Sequence, residues 1–266
     1  MPTTLAQILG SARWRVAETK SRVTIGSLEK LAQNHTPRGF ERALRATAKT
    51  RPAVIAELKR ASPSKGMIRG SFHPAALADE LVKGGATALS VLTEEQYFQG
   101  SLDYLVEVSA AVEIPLLRKD FIVDEFQVLE ARANCADAIL LIVAALSDVE
   151  LESLRERANQ YELDVLCEVH DENELERAAH LGFSVIGVNN RNLHTFEVDL
   201  KTSEGLAQKM PSNVLRVAES GIASAADIGK LRGIGYDAFL IGETLMRKDH
   251  PGQGLAELLG PATVTR

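Results

Sequence analysis

The sequence is poor in the residues that mark several protein classes. It has two cysteines, one tryptophan and four tyrosines in 266 residues, and aromatic residues make up 5% of the chain. Cys135 and Cys167 lie far apart, beside apolar runs and without metal-ligand spacing, so disulfide scaffolding and a zinc site are excluded and two buried free thiols of a reducing compartment are expected. No apolar run approaches the length needed to span a bilayer. The opening Met1-Pro2-Thr3-Thr4-Leu5-Ala6-Gln7 lacks the uninterrupted apolar core of a signal peptide, and a cytoplasmic protein with no membrane partner is expected. There is no G-x-G-x-x-G, no P-loop and no zincin motif. Positive charge is not in excess either: net charge is −6, which disfavours nucleic acid as a partner.

The charge that is present is unevenly spread. Residues 1–65 hold 13 Lys/Arg against 4 Asp/Glu, a net of +9, and the remainder carries −15. A basic helical extension lying on an acidic body accounts for most of this, although a basic region facing an anionic ligand has the same signature. An apolar fraction of 45% suits one large domain with a substantial core.

Residues 1–50 read as helical. Leu5, Ile8 and Leu9, then Leu28, Leu31 and Ala32, recur at helical spacing, and Phe40, Ala43 and Leu44 suggest a third helix after the break at Pro37-Arg38-Gly39. Trp14 is expected to pack within this extension. Eight short apolar runs follow: Ala53–Leu58, Ala88–Leu92, Ile114–Leu117, Ala138–Val143, Val165–Val169, Val185–Val188, Leu215–Ala218 and Ala238–Ile241. Helical stretches separate them. Ser147…Glu150, Asp171…Glu174 and Ser224…Asp227 read as capping boxes, and His73-Pro74 and Gly84-Gly85 bracket another helix. A weak repeat supports the count: Gly85-Ala86-Thr87-Ala88, Cys135-Ala136-Asp137-Ala138, Gly182-Phe183-Ser184-Val185 and Gly235-Tyr236-Asp237-Ala238 each lead into every second run. The expected fold is α/β, a (β/α)8 TIM barrel over residues 51–266 with an N-terminal helical extension over 1–50 packed on it, one catalytic unit overall. A doubly wound open sheet is the alternative, but Lys59-Arg60-Ala61-Ser62 is not the glycine-rich loop expected after its first strand.

In such a barrel the active site lies at the C-terminal ends of the strands. Those ends carry Glu57, Lys59 and Ser62; Thr93-Glu94-Glu95 with Tyr97-Phe98; Arg118-Lys119-Asp120; an apolar Leu140-Leu141-Ile142; Glu168 and His170; Asn189-Asn190-Arg191; Glu219-Ser220-Gly221; and Gly242-Glu243-Thr244. One charged strand end is compatible with a lone salt bridge, but seven of eight with charged or amide groups make a site. Lys119 and Glu168 are expected to face each other across the mouth, as a proton-shuttling pair or, for Lys119 alone, as a Schiff-base lysine. The glycines after strands 7 and 8 suit backbone binding of a phosphate, or only tight turns. Phe98, Leu140 and Leu193 are candidates for an apolar wall under an aromatic ring, or for plain packing. His170, with no second histidine or carboxylate at ligand spacing, is expected to support the site rather than to act in it.

Ala56-Glu57-Leu58-Lys59-Arg60-Ala61-Ser62-Pro63-Ser64-Lys65-Gly66 closely resembles the signature of the indole-3-glycerol-phosphate synthase family. The likeness extends through Ser90–Glu94, Tyr97–Ser101, Leu116–Phe121, Glu168–His170, Ile186–Leu193, Ala218–Ile222 and Leu240–Glu243, and so covers nearly the whole chain. The resemblance implies an enzyme of tryptophan biosynthesis. It would close an indole ring on 1-(2-carboxyphenylamino)-1-deoxyribulose 5-phosphate with loss of CO₂ and then water, without metal or organic cofactor. It would act as a carboxy-lyase by general acid/base catalysis, and a monomer is expected. By the same resemblance Lys119 is the general acid and Glu168 assists dehydration. Lys59, linked to Glu57, holds anionic groups of the substrate. Asn189 and Arg191 lie near its carboxylate and hydroxyls, and Glu219 is a further site carboxylate. Ser220, Gly221 and Gly242 form the phosphate cradle, and Leu92, Phe98 and Leu140 the pocket for the anthranilate ring; Ser62 and Leu193 are counted with the substrate-binding residues. Some members carry Ser where this chain has Glu243. A carboxylate repels phosphate, so Glu243 is expected to turn its side chain away and bind through its backbone N–H. Phosphoribosylanthranilate isomerase, a Schiff-base aldolase and a non-catalytic phosphate-metabolite binding protein are the rivals; the first would need a Cys/Asp acid–base pair not evident here.

Overall fold

In the computed structural model, which describes residues 4–193 and 195–260, eight parallel strands close into a barrel. They are β1 (Ala53–Leu58), β2 (Ala88–Leu92), β3 (Leu116–Lys119), β4 (Ala138–Ile142), β5 (Asp164–Val169), β6 (Val185–Asn189), β7 (Leu215–Glu219) and β8 (Ala238–Ile241). β1 pairs with both β2 and β8, which shuts the sheet. Each apolar run becomes a strand because both of its faces are buried, one against the barrel interior and one against the outer helices. The third run begins two residues later than its apolar residues suggest, since Ile114 and Pro115 precede the strand, and it ends on Lys119.

Side chains alternate between the two faces. Ala53, Ile55, Leu117, Ala138, Leu140, Leu166, Val185, Leu215, Val217 and Leu240 fill the interior, whereas Val54, Leu89, Ile139, Cys167, Ile186 and Phe239 face the helices. By this parity Glu57, Lys119, Glu168, Gly187 and Glu219 point inward at the carboxyl ends of their strands.

The helices are α1 (Leu5–Arg22), α2 (Ile25–Ala32), α3 (Phe40–Ala48), α4 (Pro74–Lys83), α5 (Glu95–Phe98), α6 (Leu102–Ala111), α7 (Glu125–Ala133), α8 (Asp148–Gln160), α9 (Glu172–His180), α10 (Lys201–Leu206), α11 (Ala225–Gly233), α12 (Glu243–Met246) and α13 (Pro251–Leu259). Ser147 and Ser224 close reciprocal capping boxes with Glu150 and Asp227. Asp171 does not: it accepts from the Glu174 N–H, but the Glu174 carboxylate turns instead to His170.

The extension does two things. α3 plugs the amino-terminal end of the barrel, where fully buried Phe40 and Leu44 join the interior core. α1 and α2 lie on α7, with Val16, Leu28 and Ala32 against Phe126, Leu129 and Ala133, and the first turns of α1 reach the opposite end. Trp14 does not pack. It is 65% exposed, because α1 buries Ile8, Ala12 and Val16 at four-residue spacing and Trp14 falls on the other side of that stripe. Cys167 is buried as expected, whereas Cys135 is only partly so, since it sits in a left-handed turn ahead of β4 rather than in the strand.

The plug is tied to the barrel by fully buried Asp137. Its carboxylate accepts from the backbone N–H of Arg38 (2.7 Å) and of Leu116 (2.7 Å) and lies 2.9 Å from His35 Nε2. Replacing it leaves these donors buried without an acceptor, at about 1–3 kcal/mol each. Asp137→Ala is therefore expected to lower unfolding free energy in urea by about 3 kcal/mol with kcat unchanged, because the site lies at the other end of the barrel. A loss under about 1 kcal/mol would show that the tie is not needed.

Candidate active site

The carboxyl ends of the strands surround a cavity of about 590 Å³, a size suited to a small metabolite. The residues expected from the sequence to act on or bind the substrate all line it: Glu57, Lys59 and Ser62; Leu92 and Phe98; Lys119; Leu140; Glu168; Asn189, Arg191 and Leu193; Glu219, Ser220 and Gly221; Gly242 and Glu243.

At its floor two lysines sit among three carboxylates. Lys119 Nζ is 2.7 Å from Glu168 Oε2 and 3.4 Å from Glu219 Oε2. Lys59 Nζ is 2.5 Å from Glu57 Oε1. Strand register produces this: Glu168 pairs with Gly187, and Asn189 with Glu219, so neighbouring inward positions converge on Lys119. Two glycines make the room. A Cβ on Gly187 would stand 2.1 Å from Glu219 Oε1, and one on Gly242 would stand 2.4 Å from Glu57 Oε1.

The carboxylates differ in character. Burial opposes charge on Lys119, but Glu168 and Glu219 outweigh it and hold the ammonium protonated well above its ordinary range. Burial also opposes charge on Glu168, yet Lys119 and His170 hold its carboxyl well below the usual carboxylate range. Glu219 goes the other way: burial, with repulsion from Glu168, outweighs the pull of Lys119 and pushes it up to about 8. Near neutrality one carboxylate is ionised and the other carries a proton, an arrangement fit for acid–base work.

The raised pKa has a consequence for stability. Between the unfolded value of 4.5 and about 8, native Glu219 holds a proton that the unfolded chain has lost. Stability contributed at this site therefore falls as pH rises through that window. Glu219→Gln is neutral throughout, so its Tm is expected to gain on wild type steadily from about pH 5 to about pH 8; a constant difference would contradict the assignment.

One wall of the cavity is apolar, with Leu92, Phe98, Phe121, Leu140 and Ile142, and Leu5 and Ile8 of α1 also line the cavity. Phe98 and Phe121 stack at a tilt, 6.2 Å between centroids. The rim opposite is polar. Ser220 and Gly221 both have positive φ (65° and 80°), turning the backbone after β7, and Gly242 opens α12 after β8. The Glu243 carboxylate is taken up by Arg247 at 3.0 Å and lies 3.8 Å from Arg191. Arg191 also donates to the Phe196 carbonyl at 3.1 Å, and its own N–H donates to Asn189 Oδ1 at 3.0 Å.

Several charged strand ends stay out of the cavity. Arg118 faces the helices, where Asp120, at 3.1 Å, and Glu130, at 2.9 Å, enclose it. Glu94 caps α5, accepting from Gln96, Tyr97 and Phe98 N–H, and lies 3.3 Å from Arg15 of α1. Asn190 staples β6 to the Glu219 carbonyl and to the Ser203 N–H. Adjacent strand residues point to opposite faces, so a cluster of three polar residues supplies one or two to the site and spends the rest outside. Conversely, sequence reasoning missed Phe121, Arg247, Ile8 and Gly187. Arg247 was signalled by its position four residues after Glu243; Gly187 looked like any strand glycine.

A closed parallel barrel whose strand ends gather an ammonium between unlike carboxylates, an apolar wall and a glycine-turned polar rim defines a barrel enzyme for a small anionic substrate. Solved structures agree on the fold: KGPDC from Streptococcus mutans (TM-score 0.61, 10% identity, 78% of this chain and 95% of that one) and an N-acetylmannosamine-6-phosphate 2-epimerase from Clostridium perfringens (TM-score 0.60, 13% identity, 74% and 89%). The sequence model of the family described as indole-3-glycerol phosphate synthase matches residues 5–258. Two relatives named indole-3-glycerol phosphate synthase are 58% identical over 260 residues (Koribacter versatilis, strain Ellin345) and 47% identical over 262 (Polaromonas naphthalenivorans, strain CJ2), each match spanning 98% of this chain and the whole of the relative. The chain belongs to the indole-3-glycerol phosphate synthase family.

Proposed function

We propose that the cavity converts 1-(2-carboxyphenylamino)-1-deoxyribulose 5-phosphate into indole-3-glycerol phosphate, CO₂ and water, by general acid/base catalysis and with no cofactor, as a carboxy-lyase. The observation that carries the reading is the Lys119 ammonium held at 2.7 Å from Glu168 and 3.4 Å from Glu219 on the floor of a pocket with an aromatic-sized apolar wall.

Lys119 protonates the substrate's ketone oxygen as the ring carbon bearing the carboxylate attacks the ketone carbon. The attack leaves a cationic nitrogen conjugated to that carbon, and this is the electron sink that lets CO₂ depart. Glu168 then takes a proton from the ring carbon beside the nitrogen and returns it to the new hydroxyl, which leaves as water and completes the indole. Leu92, Phe98 and Leu140 hold the aromatic ring against the sugar chain, which supplies rate by positioning. Lys59, kept in place by Glu57, and Arg191 beside Asn189 face the substrate's carboxylate and hydroxyls. Ser220, Gly221, Gly242 and Ser62 receive the phosphate, with the Glu243 carboxylate drawn aside by Arg247 and its backbone N–H left for the anion. Glu219 supports Lys119 as a proton-bearing neighbour.

The same reading takes 51–266 as the catalytic barrel and 1–50 as an extension belonging to it. A monomer belongs to the same reading, and the unpaired Cys135 and Cys167 suit a reducing cytoplasm. Among the described residues no helix is long and apolar enough to cross a membrane. The test is to add the carboxyphenylamino-deoxyribulose phosphate and follow indole fluorescence. A rise is expected. No rise, while the compound still binds in competition with inorganic phosphate, would overturn the reading.

A further inference from the structure

We propose that His170 and Glu174 form a positioning dyad that aims the Glu168 carboxylate at Lys119. The proposal rests on the reaction assigned above and adds to it a role for two residues outside the cavity wall.

The geometry is a line of groups running from α9 into the barrel mouth. Glu174 Oε2 accepts from the His170 backbone N–H at 2.8 Å and lies 3.0 Å from ring Nδ1. Ring Nε2 lies 3.4 Å from Glu168 Oε1. The other oxygen of Glu168 is the one that meets Lys119, at 2.7 Å. Glu168 thus lies between the two, its Oε1 at ion-pair distance from the ring, whose Nε2 has no hydrogen-bond partner among the described residues, and its Oε2 hydrogen-bonded by the catalytic ammonium.

The placement of Glu174 is the second observation. As the third residue of α9 it would ordinarily return its carboxylate to the Asp171 N–H and complete a capping box. Asp171 does its half of that motif, but Glu174 has left it for His170. Side-chain bonding that abandons the local cap for a neighbouring ring serves the ring's orientation.

The chemistry follows from the ring's tautomers. With Nδ1–H committed to Glu174, a neutral ring turns the lone pair of Nε2 toward Glu168 Oε1, which repels the carboxylate. A protonated ring turns N–H toward it and holds it. Among the described residues the charged groups meeting the ring are Glu168 from β5 and Glu174 from α9. β6, beside β5, ends in uncharged Asn189, and the turn packed on α9 presents Val143, Ala144 and Ala145. Burial works against the charged ring, but the two carboxylates outweigh it and raise His170 to about 10.

The experiment compares wild type with Glu174→Gln and His170→Asn. The His170 ring is followed by ¹⁵N NMR against pH, its signals assigned among six histidines by their loss in His170→Asn. kcat and KM are measured at about pH 6 and about pH 9, on either side of an ordinary histidine pKa. In wild type the ring is expected to stay doubly protonated until about pH 10. In Glu174→Gln its pKa is expected to fall by about two to three units, so that the ring is mostly neutral at about pH 9. The variant's kcat is then expected near wild type at pH 6 and roughly tenfold lower at pH 9, with KM within about twofold. Ionisation of Glu219 is common to both proteins and cancels in the ratio. An equal loss at both pH values, or a shifted ring with no loss at pH 9, would overturn the proposal. If His170→Asn does not fold, signals are assigned through Glu174→Gln shifts, and that variant carries every readout. If wild type fails to turn over the substrate, the assigned reaction falls, and the ring titration alone then decides whether Glu174 governs His170.

Discussion

Lys119→Ala is expected to cut kcat by about 10²–10⁴-fold with little change in KM. In the proposed reaction the proton it gives moves only as the ring closes, so its loss would remove an interaction made in the transition state and not in the bound substrate. The protein is expected to remain folded. Removing a buried ammonium takes a partner from the facing carboxylates, but Glu219 already carries its proton near neutrality, and Glu168 keeps the protonated His170 as a cationic neighbour. Lys119→Met, which keeps the stem and drops the charge, serves as the packing control and should show the same loss. Steady-state kinetics with a thermal melt of each variant checks this. A kcat within about tenfold of wild type would remove Lys119 from the acid's role.

The second large effect is expected where no charge is touched. Gly187→Ala places a Cβ where Glu219 Oε1 now stands, 2.1 Å away, with Leu166 Cδ1 at 3.1 Å on the other side. The glutamate must swing, and its contact with Lys119 goes with it. A displacement of about 1 Å at a catalytic group costs on the order of a hundredfold in rate, and that is the expected fall in kcat. Overpacking adds about 1–3 kcal/mol of destabilisation. Because Glu219 is a flexible side chain, the fold is expected to survive, and the Glu219→Gln background tests the route: Gly187→Ala should do much less harm there if it acts through that carboxylate. An undiminished effect would place its cause in strand packing.

Why these residues were or were not legible beforehand is a matter of parity and distance. The barrel could be read because each strand is buried on both faces and interrupted by helices with explicit start signals, such as Ser147 with Glu150 and Ser224 with Asp227. The extension could be read as helices, but not where they lie: that Phe40 plugs one end while Ile8 reaches the other depends on a path with no local signature. Lys119, Glu168 and Glu219 were visible as charges where strands end. Arg118 and Glu94 were visible in the same way and belong to the helical layer, since only the strand's exact register decides which face a charge takes. Asp171…Glu174 looked like a capping box and half is one; a competing acceptor demand from His170 redirects the other half. Gly187 carries no signal because its contribution is the absence of a side chain.

The proposed reaction places ketone protonation by Lys119 and ring attack before loss of CO₂. It is tested most directly by a single turnover of EDTA-treated protein on substrate labelled with ¹³C in its ring carboxylate, counting ¹³CO₂ against indole in wild type and in Lys119→Ala. Equal amounts of both are expected from wild type and neither from the variant, since no electron sink forms until the ring closes. Release of ¹³CO₂ from the variant without indole would contradict it.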